Sequence, residues 1–410
     1  MLRSPLLAIA LLSSSAALAQ DSATTEQDNR DIVVTGQSLQ DTADALAACL
    51  ARNCPPDEDI RLTLAHAENQ FVAGDYRDAR ATTLASLRRN NDEGRAFPIE
   101  VSDLYRANGR IAAHLGEADA YRLSVLNMRN TLRDGLSDND ARVLAAQIEV
   151  GDSRARLGYP EEARDIYIRT AVQAERADQK RVAAFARIRQ AMIDLPKLRR
   201  DWRGDRAPAA LAHLERISSE GEVVGADLAL LSEVMLARID REQGDMGRTQ
   251  RLVARFSAGG GSARPLLLTS EPIRLQDAGT DDGASETGGG GNTLSRLTVG
   301  VDNRWIDIGY WINADGRVSD YEVLRQSGGL GGWTEAVERS VNSRVYAPLA
   351  PVNGTASPGF YIVERYTLTA DFANQIDCTG TRIRCRGPNL RVERTDLTPE
   401  DLSDQPNRAG

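Results

Sequence analysis

The chain has 410 residues and a net charge of −9, and its basic residues are nearly all Arg, with Lys only at Lys180 and Lys197. Acidic and basic side chains are interleaved along it. That leaves no basic stripe to hold nucleic acid and no polybasic helix to hold an anionic membrane surface.

Met1 to Ala19 has the form of a secretory signal peptide. Arg3 precedes an apolar run, Leu6 to Leu12, and Ala17-Leu18-Ala19 is a small-x-small cleavage site. The run is shorter than the roughly 20 residues of a membrane span. An exported, soluble mature protein is expected; left uncleaved, the same segment would be an anchor. No Cys follows the cleavage site, so no lipid attachment is expected there. Residues 20–41 read as a disordered polar segment, interrupted by the β-branched run Ile32-Val33-Val34.

The four cysteines agree with an oxidising compartment. They form two close pairs, Cys49 with Cys54 and Cys378 with Cys385. Of the three pairings that four cysteines allow, only the local one avoids joining distant parts of the chain. A disulfide is therefore expected in each pair. Neither pair has a His nearby or the spacing of a zinc finger, so no metal is expected.

From Thr42 to Phe256 the chain is rich in Ala, Leu, Arg and Glu and reads as helical. Gly74, Gly116 and Gly158 are each 42 residues apart, and Gly244 lies about two such steps further on. The clearest unit is Gly151, Gly158, Ala163 and Tyr167. There, small residues let two antiparallel helices approach at a tight turn, and the aromatic fills the gap between successive pairs. This pattern resembles tetratricopeptide repeats, with a longer period. The resemblance implies an α-solenoid over 42–256, of roughly four or five helix pairs, with a concave surface suited to protein or peptide partners. The same glycines would also serve as helix C-caps in an irregular bundle. Asp201 to Asp205, with Trp202, interrupts the period and reads as a loop.

Residues 257–293 read as a flexible linker. Gly259-Gly260-Gly261 opens it and Gly288 to Gly291 closes it. Inside lies an apolar island, Pro265 to Leu268 with Pro272-Ile273, able to dock on a flanking domain.

The segment after the linker alternates as a half-buried strand does, with Ile306, Ile308, Tyr310 and Ile312 on one face. Asn313-Ala314-Asp315-Gly316 is a tight turn, Val318 to Leu324 a second strand. A helix follows whose Trp333, Val337, Val341 and Val345 repeat every four residues, and Pro348 stops it. A last strand runs from Phe360 to Phe372. Beyond it, 375–410 reads as a tail containing a hairpin crossed by the Cys378–Cys385 pair.

Over about 80 residues, 294–374, this small α+β (ββαβ) arrangement resembles the C-terminal domain of the TonB family, periplasmic energy transducers of Gram-negative bacteria. The matching positions are Gly316 and Val318, Val323-Leu324, Ser327-Gly328, Trp333, and Tyr346 with Pro348. Gln326 and Thr334 depart from the pattern, and the Tyr-Pro pair that often precedes the first strand is absent. The resemblance implies a periplasmic protein near TonB-dependent transport. It also implies an open sheet edge at the last strand, with Tyr361, Val363, Arg365 and Thr367, ready to add an extended peptide. Asp31 to Gly36, with Ile32, Val33 and Val34, resembles the box by which TonB-dependent outer-membrane receptors are captured. It offers a guest strand from another copy, while a receptor offers another.

Motifs for enzymatic chemistry are absent. His66, His114 and His213 lack metal-ligand spacing, and neither a nucleophile elbow nor a phosphate loop is present. The expected protein is a non-enzymatic periplasmic binding or scaffold protein without cofactors. The alternatives are a TonB-family energy transducer held in the inner membrane, periplasmic side, by an uncleaved signal, and a solenoid peptide-binding module whose C-terminal domain is structural.

Overall fold

Ser38 opens the first helix with a capping box. Its hydroxyl accepts from the Asp41 amide, and the Asp41 carboxylate accepts from the Ser38 amide. From there the computed structural model describes residues 37–198, 206–275, 304–327, 332–352, 355, 357–372 and 386–398. The helices are α1 (Leu39–Ala51), α2 (Pro56–Ala73), α3 (Tyr76–Asn90), α4 (Pro98–His114), α5 (Ala118–Gly135) and α6 (Ala141–Arg156). After them come α7 (Pro160–Arg176), α8 (Lys180–Leu198), α9 (Ala207–Ser219), the short α10 (Gly221–Val224), α11 (Ala226–Glu242) and α12 (Gly247–Ala258). Among the described residues no helix is long and apolar enough to cross a membrane.

Proline and glycine set the helix ends. Pro56, Pro98 and Pro160 stand at helix starts, where a missing amide costs nothing. Gly74, Gly116, Gly158 and Gly244 have φ of 93°, 77°, 85° and 88°. At each, the glycine amide bonds the carbonyl three residues back, and the next amide bonds the carbonyl five back, as from Gly74 to Phe71 and from Asp75 to Gln70. The 42-residue spacing therefore marks left-handed C-caps that reverse the chain between paired helices. The α7–α8 turn does the same with Asp178, φ 55°.

Successive helices pack against one another through buried apolar clusters. Val125, Met128 and Leu132 of α5 meet Val143 and Val150 of α6, and Leu214 and Ile217 of α9 meet Leu228 and Leu236 of α11. Gly151 lies under the Tyr167 ring, where a Cβ would overlap it, and Ala163 is fully buried. Tyr167 shares one buried cluster with Ile148 of α6 and Ala186 of α8, so it lies both within its own pair and against the first helix of the next. Its hydroxyl donates to Asp152 at 2.7 Å. Residues Asp201 to Asp205 lie outside the described residues.

The C-terminal part is a four-stranded antiparallel sheet built from β2 (Trp305–Ile312), β3 (Val318–Gln326), β5 (Phe360–Phe372) and β6 (Arg386–Asp396), in the order β3-β2-β5-β6. The β2–β3 turn is closed by Gly316, φ 81°, whose amide donates to Asn313 O. Helix α13 (Trp333–Asn342) lays Trp333, Val337 and Val341 on Ile306, Ile308, Ile312 and Leu368. Each such side chain, fully buried, contributes roughly 1.5–3 kcal/mol.

Three expectations need correction. The α13 helix ends at Asn342, not at Pro348. Arg344 turns inward, and Val345–Tyr346 forms β4, paired with β1 (Leu267–Thr269). The expected tail carries β6, which extends the sheet. Val392 packs against the sheet core, a signal masked by the charged residues that flank it. The expected flexible linker is structured through residue 275. Leu268 is buried among Val234, Ala237, Leu252 and Ala347, while Leu267, Ile273 and Leu275 pack on the sheet core. The apolar island thus docks on both neighbours; residues 276–303 lie outside the described residues.

Candidate functional site

The expected docking edge is β5, and β5 is not an edge. It lies between β2 and β6, from the Glu364–Asp396 pair to the Phe372–Arg386 pair. Further up, Val363 accepts from the Leu397 amide and donates to Thr398 Oγ1. A guest strand would have to displace residues 386–398 of the same chain. The sheet's outer strands are β3 and β6. On β3, Val323 and Leu324 are 48 % and 41 % exposed, and two register shifts bulge the strand. Ile32, Val33 and Val34 lie outside the described residues.

The four β5 residues named above are all tied into the fold. Tyr361 is buried, and its hydroxyl donates to Glu322 at 2.7 Å across β2. Gly309 on the strand between makes room, since any Cβ there would overlap the phenol. Burial pushes the Tyr361 hydroxyl well above the usual phenol range, and the Glu322 bond adds to this. Thr367 is buried between Trp305 and Glu393 in the strand register.

Arg365 joins the sheet to the helical array. It is fully buried and pairs with Asp307 on β2, Nε to Oδ1 at 2.6 Å and Nη2 to Oδ2 at 2.9 Å. Its remaining donors leave the sheet. Nη1 donates to Phe71 O at 3.0 Å and Tyr76 Oη at 2.8 Å, and Nη2 to Val72 O at 2.9 Å. Those carbonyls end α2, where the helix dipole is negative, and the Phe71 carbonyl also accepts from the Gly74 amide at 3.0 Å. Arg325 adds a bond to Val72 O at 3.1 Å and one to Asp307 at 2.7 Å. The Trp305 ring lies 4.0 Å from the Arg365 guanidinium and covers Gly74, whose absent Cβ would sit 3.3 Å from the indole. A weaker link joins Arg156 of α6 to Glu393 of β6 at 2.7 Å, both partly exposed.

On the opposite face of the sheet a second polar group is sealed in. Arg344 donates to Glu364 at 2.8 Å and to Tyr310 and Tyr366 at 2.5 Å each. Burial first, then Glu364, hold Tyr310 and Tyr366 far above the phenol range. Both clusters escaped the reading of the sequence. Their signal was Asp307 and Glu364, charged residues inside otherwise apolar strands.

The histidines sit apart. His66 Nδ1 meets Thr42 at 3.1 Å, His114 stacks on Tyr76 at 4.2 Å, and burial lowers the pKa of His66 and His213. Cys49 and Cys54 are joined as a disulfide beside Glu58. Cys378 and Cys385 lie outside the described residues. A polar recess of about 310 Å³ between Pro272 and α13 contains none of the candidate binding residues expected from the sequence.

No family model matches this chain, and no curated protein matches it. Among solved structures, BtubC (BKLC) from P. vanneervenii is similar over 58 % of this chain and 97 % of its own, at TM-score 0.42 and 17 % identity. A Podosopora anserina putative kinesin light chain with nearly identical TPR-like repeats matches over 50 % of this chain and 95 % of its own, at TM-score 0.38 and 14 % identity. The apo form of RapI covers 52 % of this chain and 72 % of its own, at TM-score 0.33 and 13 % identity.

Proposed function

We propose that this is an exported, non-enzymatic binding or scaffold protein of the periplasm, associated with TonB-dependent envelope transport. In this reading the helix pairs present the surface for protein or peptide partners, and residues 294–374 are a TonB-C-like domain. The observation that carries it is the strand–turn–strand–helix–strand order over 305–372. In that order Gly316 stands in the left-handed turn and Trp333 opens the helix, at positions the resemblance marks, and Trp333, Val337 and Val341 seal the sheet.

A second reading gains from the Arg365 contact: a helical binding module whose C-terminal domain is structural. A domain that recruits others through its edge has no need to bury a charged pair against its own helices. One experiment serves both. The native protein is released by osmotic shock, and its companions are captured by affinity to a C-terminal tag and identified. Release with the periplasm, together with recovery of TonB-dependent receptors or their energising partners, supports the first reading. Release with companions unrelated to that transport supports the second. Retention in the inner membrane overturns both in favour of an anchored transducer.

A further inference from the structure

The sheet domain meets the helical array in two places of opposite character, with the Arg156–Glu393 ion pair between them. At α11 and α12 the contact is apolar and next to the connecting chain, with Leu268 and Ala347 buried among Val234, Ala237 and Leu252. At the α2–α3 turn the contact is mainly polar, through Arg365 and Arg325 to the Phe71 and Val72 carbonyls and the Tyr76 hydroxyl, with the Trp305 indole over Gly74.

We propose that these two attachments are a hinge and a latch. The sheet domain stays seated at α11 and α12 and leaves α2 as a unit, pivoting at Gly259–Gly261. Gly260 has φ 84° and nothing within 4 Å of where a Cβ would be, so packing does not hold it. Gly261, one residue later, presses on the Leu349 backbone, and Ser262 bonds Pro348 O and the Ala350 amide. The Gly261 amide still donates to Phe256 O of α12 at 2.7 Å, so Gly261 caps the helix, and from Ser262 onward the chain moves with the sheet.

The latch is built to part cleanly. Arg365 and Asp307 both belong to the sheet, so the ion pair stays whole when the domains separate. No charge is left buried without a partner, which is the step that makes most buried pairs hard to break. The Phe71 and Val72 carbonyls are helix-end groups that water can satisfy. At the hinge, separation would expose Leu268 and its apolar neighbours, for which water offers no substitute. The Arg156–Glu393 pair between the two is partly open to water, which can replace it on separation.

The test uses the full chain, with spin labels on Arg77→Cys and Gln326→Cys, two exposed positions flanking the latch. One variant acts from the array side: Gly74→Asn crowds Trp305, and Tyr76→Phe in the same chain removes the hydroxyl that Arg365 bonds. A second acts from the sheet side, Asp307→Asn with Arg365→Gln. The expected result for the array-side variant is a longer and broader label distance. Amide exchange in residues 70–78 should be about tenfold faster, while peptides covering Leu266–Leu268 and α13 keep their protection. The sheet-side variant should give the same distance change. An unchanged distance in both variants would overturn the proposal. So would loss of protection across the whole sheet in the array-side variant, since the contact would then belong to one indivisible core.

Discussion

Asp307 and Arg365 stand directly opposite each other on neighbouring strands, and between them no part of either side chain meets solvent. A carboxylate and a guanidinium sealed in this way gain little net stability from each other, because leaving water costs each several kcal/mol. Their effect is on specificity. Only with Asp307 in place is Arg365 held so that its remaining donors point at the end of α2.

Removing one member should therefore be far worse than removing both. Asp307→Ala is expected to destabilise the protein by about 3–5 kcal/mol, since it strands a buried guanidinium. Asp307→Leu with Arg365→Met should recover most of that loss in urea unfolding. Equal losses in single and double variants would show that the pair contributes as a net attraction.

Overpacking should be felt at the α6–α7 turn. Gly151→Ala places a methyl group in the Tyr167 ring, whose hydroxyl is tied to Asp152. The expected cost is about 1–3 kcal/mol. Gly151→Ala combined with Tyr167→Leu should be milder than Gly151→Ala alone in thermal melts.

Acid should weaken the first helix pairs through Asp59. Burial alone would raise its pKa, but bonds from Arg89, Asn90 and Thr63 outweigh it and hold the carboxyl below its ordinary 3.8. The unfolded chain then binds the proton more tightly. The stabilisation is complete above the unfolded value and is lost as pH falls through the lower folded value. Asp59→Asn should flatten the acid limb of the stability profile below about pH 4. An unchanged limb would show that other carboxylates set it.

Non-reducing peptide mapping should find Cys49–Cys54 and Cys378–Cys385. Each closes a short loop, so reduction should cost about 2–3 kcal/mol per bridge. Free thiols at Cys378 and Cys385 in the native protein would break the second expectation.

A fragment beginning at residue 259 should be more stable than one beginning at residue 293. The longer one keeps β1 on β4 and the packing of Leu267, Ile273 and Leu275 on the sheet core. Circular dichroism melts compare them directly. Equal midpoints would mean that these apolar contacts add nothing.

What could be read from the sequence was whatever repeats or alternates. Glycines at a fixed spacing gave the helix-pair turns, because only residues tolerant of positive φ can stand there. Alternation in Trp305–Ile312 gave a strand with the right face inward. The Asp178 turn had no glycine to announce it. Strand β6 stayed hidden because its flanks are Arg, Glu and Pro, residues usual in loops. The role assigned to β5 failed for a topological reason: alternation tells which face of a strand is buried, and nothing in it tells whether both edges are paired. Contacts such as Arg365 with Phe71 join residues far apart in the chain and leave no local pattern at all.

The sealed tyrosines around Arg344 give the protein a ceiling in alkali. Tyr310 and Tyr366 have no room for a phenolate while the core is closed, whereas in the open chain they would ionise near the ordinary value of 10.0. Above that value the unfolded state sheds protons that the folded state keeps, so stability drains away as pH rises. Titrated in base and followed by ultraviolet absorbance, the chain should show its phenols in two populations. The outer ones would ionise gradually and reversibly, and the inner ones abruptly, at the pH where the sheet gives way.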